Sequence, residues 1–107
     1  LKVDADDHLP RMVSLVRQEA EELALATKRL RGNPRVAGDH ARRAKKLEGE
    51  VDHLYRVAVA DIFDNVEDIK QLTAVFRRRE VYRHVSNMSD RADAAANIFG
   101  MVVMKLT

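Results

Sequence analysis

The sequence contains no cysteine and no tryptophan among its 107 residues, and it has only 2 prolines and 4 glycines. The absence of cysteine excludes a disulfide scaffold, a thiolate metal site and cysteine catalysis. Because β-sandwiches and β-barrels need many turn residues, the few prolines and glycines argue against both folds. The chain has no apolar run of about 18 residues, which excludes a membrane-spanning helix, and no signal-peptide pattern opens it. We therefore expect a cytoplasmic protein.

The chain also has no large excess of either charge, since its 19 Lys and Arg residues nearly balance its 17 Asp and Glu residues and give a formal net charge of +2. The two signs are spread evenly along the chain, without a polybasic arm. We therefore do not expect nucleic-acid binding from charge alone. A hydrophobic fraction of 46% is enough for a packed core, and a chain of this length forms one domain.

Apolar residues recur every three or four positions in the first part of the chain, which predicts an amphipathic helix over about 8–31. Asp6 and Asp7 are candidate N-cap residues, and Pro10 lies in the first turn, where its missing N–H is tolerated. Gly32 is typical of a helix end. The predicted core stripe is Leu9, Val13, Val16, Ala20, Leu23, Thr27 and Leu30.

Two more helices follow, over about 34–63 and 66–106, separated by the Asp64-Asn65 turn signal. Gly38 and Gly49 lie in the second helix, where small residues permit close approach of a neighbouring helix. The third helix is about 60 Å long if straight, so we expect it to overhang or to bend near 77–80. Short loops predict an all-α, antiparallel three-helix bundle. Because a lone bundle would not cover the long third helix, we expect a missing half of the chain or a homodimer.

Two acidic pairs lie on the second and third helices. Glu48 and Asp52 are four residues apart, and Asp90 and Asp93 form a similar pair. Like charges at this spacing repel each other, and carboxylate oxygens suit Mg, Mn, Fe or Ca. An alternative is an ordinary solvated face. An antiparallel register places Glu48 opposite residue 84, so Asp90 is expected about 9 Å further along the axis, and the two acids come within reach only if the register slips by a turn or more.

Other patterns are weaker. Glu50 and His53 have the spacing of a helical di-iron motif, but only one copy occurs and such sites need two. Residues 77–79 are three arginines, which suit either an anion site or a solvated bend. Met101 and Met104 are typical of a core or a dimer surface. The sequence has no nucleophile elbow, Walker sequence or phosphate-cradling glycine loop, so we do not expect an enzyme.

Several segments resemble PhoU-domain proteins, especially the branch that accompanies Pit-type phosphate permeases. Residues 47–56 (LEGEVDHLYR) are similar to the second-helix motif of that family. The third-helix motif is similar to residues 80–85 (EVYRHV), 90–93 (DRAD) and 96–98 (ANI). The resemblance extends from about residue 9 to 105. It implies two three-helix repeats in the family, of which this chain fits the C-terminal one.

The resemblance also implies metal ligands. The family motif is an acid followed four residues later by Asp, once on each of two helices, and it binds metal ions, often iron. Glu48 and Asp52 match the first copy, and Asp90 matches the second half of the second copy. Ser86 stands where the remaining acid is expected, and Asp93, one turn away, is the candidate substitute.

The function implied is regulation of inorganic phosphate uptake, through contact with a phosphate permease or a phosphate-signalling protein. The implied cofactor is a divalent or ferric ion such as Fe, Mn, Ni, Zn or Mg, and we expect a homo-oligomer. The main alternative is a generic helical interaction domain without metal. A small carboxylate enzyme and a nucleic-acid binder that uses the three arginines are further alternatives.

Overall fold

The protein is an all-α, three-helix bundle. A computed structural model describes residues 7–64 and 66–107. The helices are α1 (His8–Arg29), α2 (Pro34–Asp64) and α3 (Ile69–Leu106), with 22, 31 and 38 residues. All three pack against one another, in an elongated molecule of 58 × 19 × 15 Å. The predicted fold class is confirmed.

The helix ends agree with the prediction to within three residues. The largest difference is at α3, which begins at Ile69 because Asp68 caps it and accepts a hydrogen bond from the Gln71 N–H at 2.8 Å. The Gln71 side chain in turn accepts one from the Glu67 N–H at 2.7 Å. Among the described residues Asp7 makes no side-chain cap bond to α1. The other candidate cap, Asp6, lies outside the described residues, as does Asn65 of the turn signal.

The third helix runs without interruption through residues 77–80, where a bend was one of the two expectations. At about 1.5 Å per residue, its 38 residues extend nearly the whole 58 Å length of the molecule. The shorter α1 therefore covers only part of α3. This leaves apolar side chains exposed near the C-terminal end of α3, namely Ile98, Met101, Met104 and Leu106.

The buried residues form a large cluster and a small one. The large cluster consists of Met12, Val51, Leu54, Ala58, Ile62, Val75, Tyr82 and Val85. The small cluster is built on alanines, namely Ala41, Ala44 and Ala96. Small side chains let α2 and α3 approach closely at this end. A Cβ atom added at Gly38 would lie 3.3 Å from Val103 Cγ1. A Cβ atom added at Gly49 would have no described heavy atom within 4 Å apart from its chain neighbours and the nearby backbone of α2. The close-approach prediction is thus confirmed for Gly38 and wrong for Gly49.

The predicted stripe of α1 differs from the face that is buried. The fully buried residues of α1 are Met12, Glu19 and Ala26, which are seven residues apart. Val13 is 50% exposed and Ala20 is also exposed. The buried face is therefore rotated about the helix axis, because α1 packs mainly against α2 rather than midway between α2 and α3. Part of the apolar stripe of α1 faces outward as a result.

Candidate functional site: an acidic cluster across three helices

Glu48 of α2 and Asp90 of α3 lie within hydrogen-bonding distance of each other. The register of α2 and α3 predicted from the sequence placed residue 84, not Asp90, opposite Glu48. The register itself differs from the predicted one, because a Cβ on Gly38 would lie 3.3 Å from Val103 and the rings of Phe63 and Phe76 are 5.6 Å apart, whereas the predicted register pairs these two α2 residues with residues 94 and 69. The two helices are therefore displaced along the axis by about two helical turns, and this displacement brings Asp90 to Glu48. Lys45 and Asp93 meet in the same way, with 3.0 Å between the Lys45 Nζ and an Asp93 oxygen.

The surroundings of Glu48 disfavour its ionised form. Burial raises the pKa of this carboxyl above its ordinary value, and the nearby charges of Asp93, Asp90 and Asp52 raise it further. A protonated Glu48 donates a hydrogen bond to Asp90, which adds to the rise in pKa. The contact between two acids is thus stabilised by a proton.

The structure adds an acid that the sequence analysis did not single out. Glu19 of α1 is 0% exposed, and its Oε1 accepts a hydrogen bond from the Ser89 hydroxyl at 2.6 Å. Ser89 is itself 1% exposed and directly precedes Asp90 on α3. The other oxygen, Glu19 Oε2, is buried without a hydrogen-bond partner among the described residues. A buried carboxylate oxygen without a partner is energetically unfavourable.

The acids of α2 and α3 also influence Glu19 electrostatically. Burial raises its pKa from 4.5 to about 7; the hydrogen bond from Ser89 acts in the opposite direction, and the charges of Glu48, Asp93 and Asp90 raise the pKa further. We use the name acidic cluster for the group formed by Glu19, Glu48, Asp52, Asp90 and Asp93. It draws on all three helices, with Glu19 buried and Asp90 exposed.

Two of the four predicted metal ligands are already paired with cations. Asp52 forms an ion pair with Arg56, one turn further along α2. Lys45 bonds to Asp93 and donates a second hydrogen bond to the Asn97 side-chain oxygen at 2.6 Å. Glu48 and Asp90, the other two predicted ligands, are the pair brought into direct contact.

The cluster has the chemistry of a site for a hard cation, but its side chains are not arranged around an ion. Carboxylate oxygens are the ligands that Mg, Mn and Fe accept, and the unpartnered Glu19 Oε2 is a further donor. Across residues 7–64 and 66–107, however, no three Asp, Glu or His side chains form a group that could hold a metal ion. Ser86, at the position where the resemblance implies an acid, is buried and neutral.

The weaker candidates lie apart from the cluster. Glu50 and His53 are exposed and line a shallow groove between α1 and α2. Of the three arginines, Arg77 is exposed and Arg79 lies 3.7 Å from Glu80. Met101 and Met104 are 63% and 79% exposed, so neither belongs to the core of the bundle.

No helix in the described part of the chain is long and apolar enough to cross a membrane. Comparison with protein-family models, with curated proteins and with solved structures finds no significant match. The comparisons therefore do not identify a family for this chain.

Proposed function

We propose that this chain is a cytoplasmic regulatory or accessory module of inorganic phosphate transport whose acidic cluster binds a cation. The observation that carries the cation part is the convergence of carboxyl groups from all three helices, with the pKa values of Glu19 and Glu48 raised. Packing acids together in this way is unfavourable for the bare protein, and a positive charge relieves it.

The link to phosphate is supported by the sequence resemblance. Residues 47–56 and 80–98 resemble the two helical motifs of PhoU-domain proteins. The three-helix fold is of the class that this resemblance implies. The proposed partner is accordingly a phosphate permease or a phosphate-signalling protein.

The cation we propose is a divalent or ferric ion, such as Fe, Mn, Ni, Zn or Mg. Glu48 and Asp90 would supply the first ligands, since their carboxyl groups are already in contact. Asp93 would join them after Lys45 moves away, and Asp52 after Arg56 moves away. Side-chain rearrangement is therefore part of the proposal.

We also propose that the chain forms a homo-oligomer through the C-terminal part of α3. Met101 and Met104 are highly exposed, and Ile98 and Leu106 are 62% and 55% exposed. Ile98, Met101 and Met104 follow one another at spacings of three residues, so these three lie along one side of α3 and form an apolar surface. Self-association would cover the part of α3 that the shorter α1 leaves open.

A helical interaction domain without metal is the second candidate, and a specific observation favours it. Asp52 and Asp93 are each neutralised by a basic side chain of the same protein. Glu48, whose pKa is raised, forms a hydrogen bond with Asp90 when it is protonated. In this alternative the acidic cluster contacts a basic surface of a partner protein.

The phosphate proposal is tested by uptake of radiolabelled phosphate in bacterial cells that carry a Pit-type permease. We expect production of the wild-type chain to change the uptake rate and Glu48→Gln/Asp90→Asn to abolish that effect. The matched control, Glu50→Gln/Asp64→Asn, removes two exposed acids outside the cluster and is expected to act as wild type. An unchanged uptake rate with the wild-type chain, or equal effects of both double variants, would contradict the proposal.

A further inference from the structure

An apolar groove runs between α1 and α3, away from the acidic cluster. It has a volume of about 240 Å³, and its lining residues are Val13, Val16, Arg17, Ala20, Val85 and Met88. Val13 and Met88 are 50% and 56% exposed. The volume is below the roughly 300–1,000 Å³ typical of small-molecule sites. The groove is therefore better suited to a few side chains of another protein than to a whole small molecule.

Each wall of the groove carries a heptad pattern. On α1, Val13, Val16 and Ala20 follow one another at spacings of three and four residues. On α3 the lining residues Val85 and Met88 belong to a longer stripe, Val81, Val85, Met88, Ala92, with spacings of four, three and four. Two adjacent helices with such stripes along one groove form the seat that a further helix occupies in a four-helix bundle. No helix of the described residues occupies the position of the fourth helix along this groove.

The edges of the groove are basic. Arg17 lines the groove itself and lies 3.7 Å from Glu21, one turn further along α1. His84 and Arg91 lie four residues before and three residues after Met88, so they flank it on the surface of α3. Arg77 continues this row one heptad earlier, and all three side chains are exposed.

We propose that the α1/α3 groove binds an amphipathic helix of another protein that has an apolar heptad stripe flanked by acidic residues. The stripe would pack on Val13, Val85 and Met88. The acids would meet Arg17 of the groove lining and Arg91, which is exposed beside Met88 on α3. A second copy of this chain is a poor occupant, because the same basic rim on both molecules would place like charges together. This surface differs from the C-terminal apolar surface of α3 and does not depend on cation binding.

Two synthetic helical peptides with the same apolar heptads test the proposal, one with Glu and the other with Lys at the flanking positions. Binding of each labelled peptide to the full chain is measured by fluorescence anisotropy. We expect the Glu-flanked peptide to bind at least about tenfold more tightly, because flanking charges set partner choice in helical pairs. Arg17→Glu/Arg91→Glu should reverse the preference.

The matched control, Arg35→Glu/Lys46→Glu, reverses two exposed charges outside the groove and should keep the wild-type preference. Met88→Glu should weaken binding of either peptide at unchanged helicity, measured by circular dichroism. Equal binding of both peptides, or binding of neither, would overturn the proposal. So would loss of self-association in Met88→Glu, since a second copy would then be the occupant.

Discussion

At the scale of single residues, Glu19 is the least expected feature of the protein. A fully buried carboxyl group in a small helical bundle has one hydroxyl partner, Ser89, and one oxygen without a partner among the described residues. Its pKa of about 7 means that the group is partly protonated at neutral pH. Folding therefore depends on pH through this residue.

The first prediction concerns this pH dependence. Because the folded-state pKa of Glu19 is raised above its ordinary 4.5, the folded protein binds more protons than the unfolded chain between about pH 4.5 and 7, and stability falls as pH rises through that range. Glu19→Gln should remove most of this loss. At pH 8 we expect the variant to be more stable than wild type by roughly 2–3 kcal/mol, since one pKa unit corresponds to about 1.4 kcal/mol.

Urea unfolding at pH 5 and pH 8 measures the difference. Glu50→Gln, an exposed glutamate of α2, serves as the control and should leave the pH dependence of wild type intact. Some pH dependence will remain in Glu19→Gln, because the pKa of Glu48 is also raised. If Glu19→Gln and wild type lose the same stability between pH 5 and 8, Glu19 is not the group that we describe.

The sequence singled out Glu48 and Asp90 as candidate metal ligands on two helices but gave no sign of Glu19. Glu19 belongs to an acidic stretch with Glu21 and Glu22, which is typical of an exposed helix face. Its burial results from the rotation of α1, which turns the face of Met12, Glu19 and Ala26 inward. The one available signal was the seven-residue spacing of these three residues.

At the scale of helices, α2 and α3 approach each other closely at Gly38. The nearest atom to an added Cβ there would be Val103 Cγ1 at 3.3 Å, which is tighter than ordinary van der Waals contact. Gly49 lies in the same helix without such a neighbour. Substitution of alanine at Gly49 therefore tests helix propensity alone, whereas the same substitution at Gly38 also tests packing against α3.

The second prediction is that Gly49→Ala stabilises the protein by about 1 kcal/mol, because alanine is that much more favourable than glycine inside a helix. Gly38→Ala should gain less than half of this, since Val103 must shift to make room. Free energies from urea unfolding compare the two variants directly.

Combination of Gly38→Ala with Val103→Ala forms a double-mutant cycle that isolates the contact. We expect a favourable coupling, because the added methyl group then fills space vacated by the valine. Equal stabilisation by Gly38→Ala and Gly49→Ala would mean that α2 and α3 do not approach as closely as described.

Element boundaries were predictable because local signals set them. The Asn33-Pro34 dipeptide begins α2 at the predicted residue, and Asn33 Oδ1 accepts a hydrogen bond from the Val36 N–H. The start of α3 was predicted at Val66, but Asp68 and Gln71 fix it at Ile69. The register between helices was harder to predict, because it depends on the path of the loop and on packing across the interface, as at Gly38 and Val103, rather than on spacing within one helix.

At the scale of the whole molecule, the exposed C-terminal surface of α3 leads to the third prediction. We expect wild-type protein to form a dimer of the 12.2 kDa chain and Met101→Glu/Met104→Glu to be monomeric, because charges on this apolar surface oppose its burial. Sedimentation equilibrium measures the mass of each.

Ile69→Glu is the control for this prediction, since Ile69 is 81% exposed at the other end of α3. It should dimerise as wild type does. A wild-type chain that is monomeric at every accessible concentration, or a dimer that tolerates both glutamates at Met101 and Met104, would exclude this surface as the interface.

Thermal unfolding of the protein with Fe, Mn, Ni, Zn or Mg measures whether the acidic cluster binds a cation. At a hundred times Kd a ligand stabilises the folded state by about 2.7 kcal/mol, which corresponds to a Tm rise of roughly 10 °C or more in a domain of this size. We expect this rise for wild type with at least one ion and no rise for Glu48→Gln/Asp90→Asn. An unchanged wild-type Tm with all five ions, or an equal rise in the double variant, would show that Glu48 and Asp90 do not bind a cation.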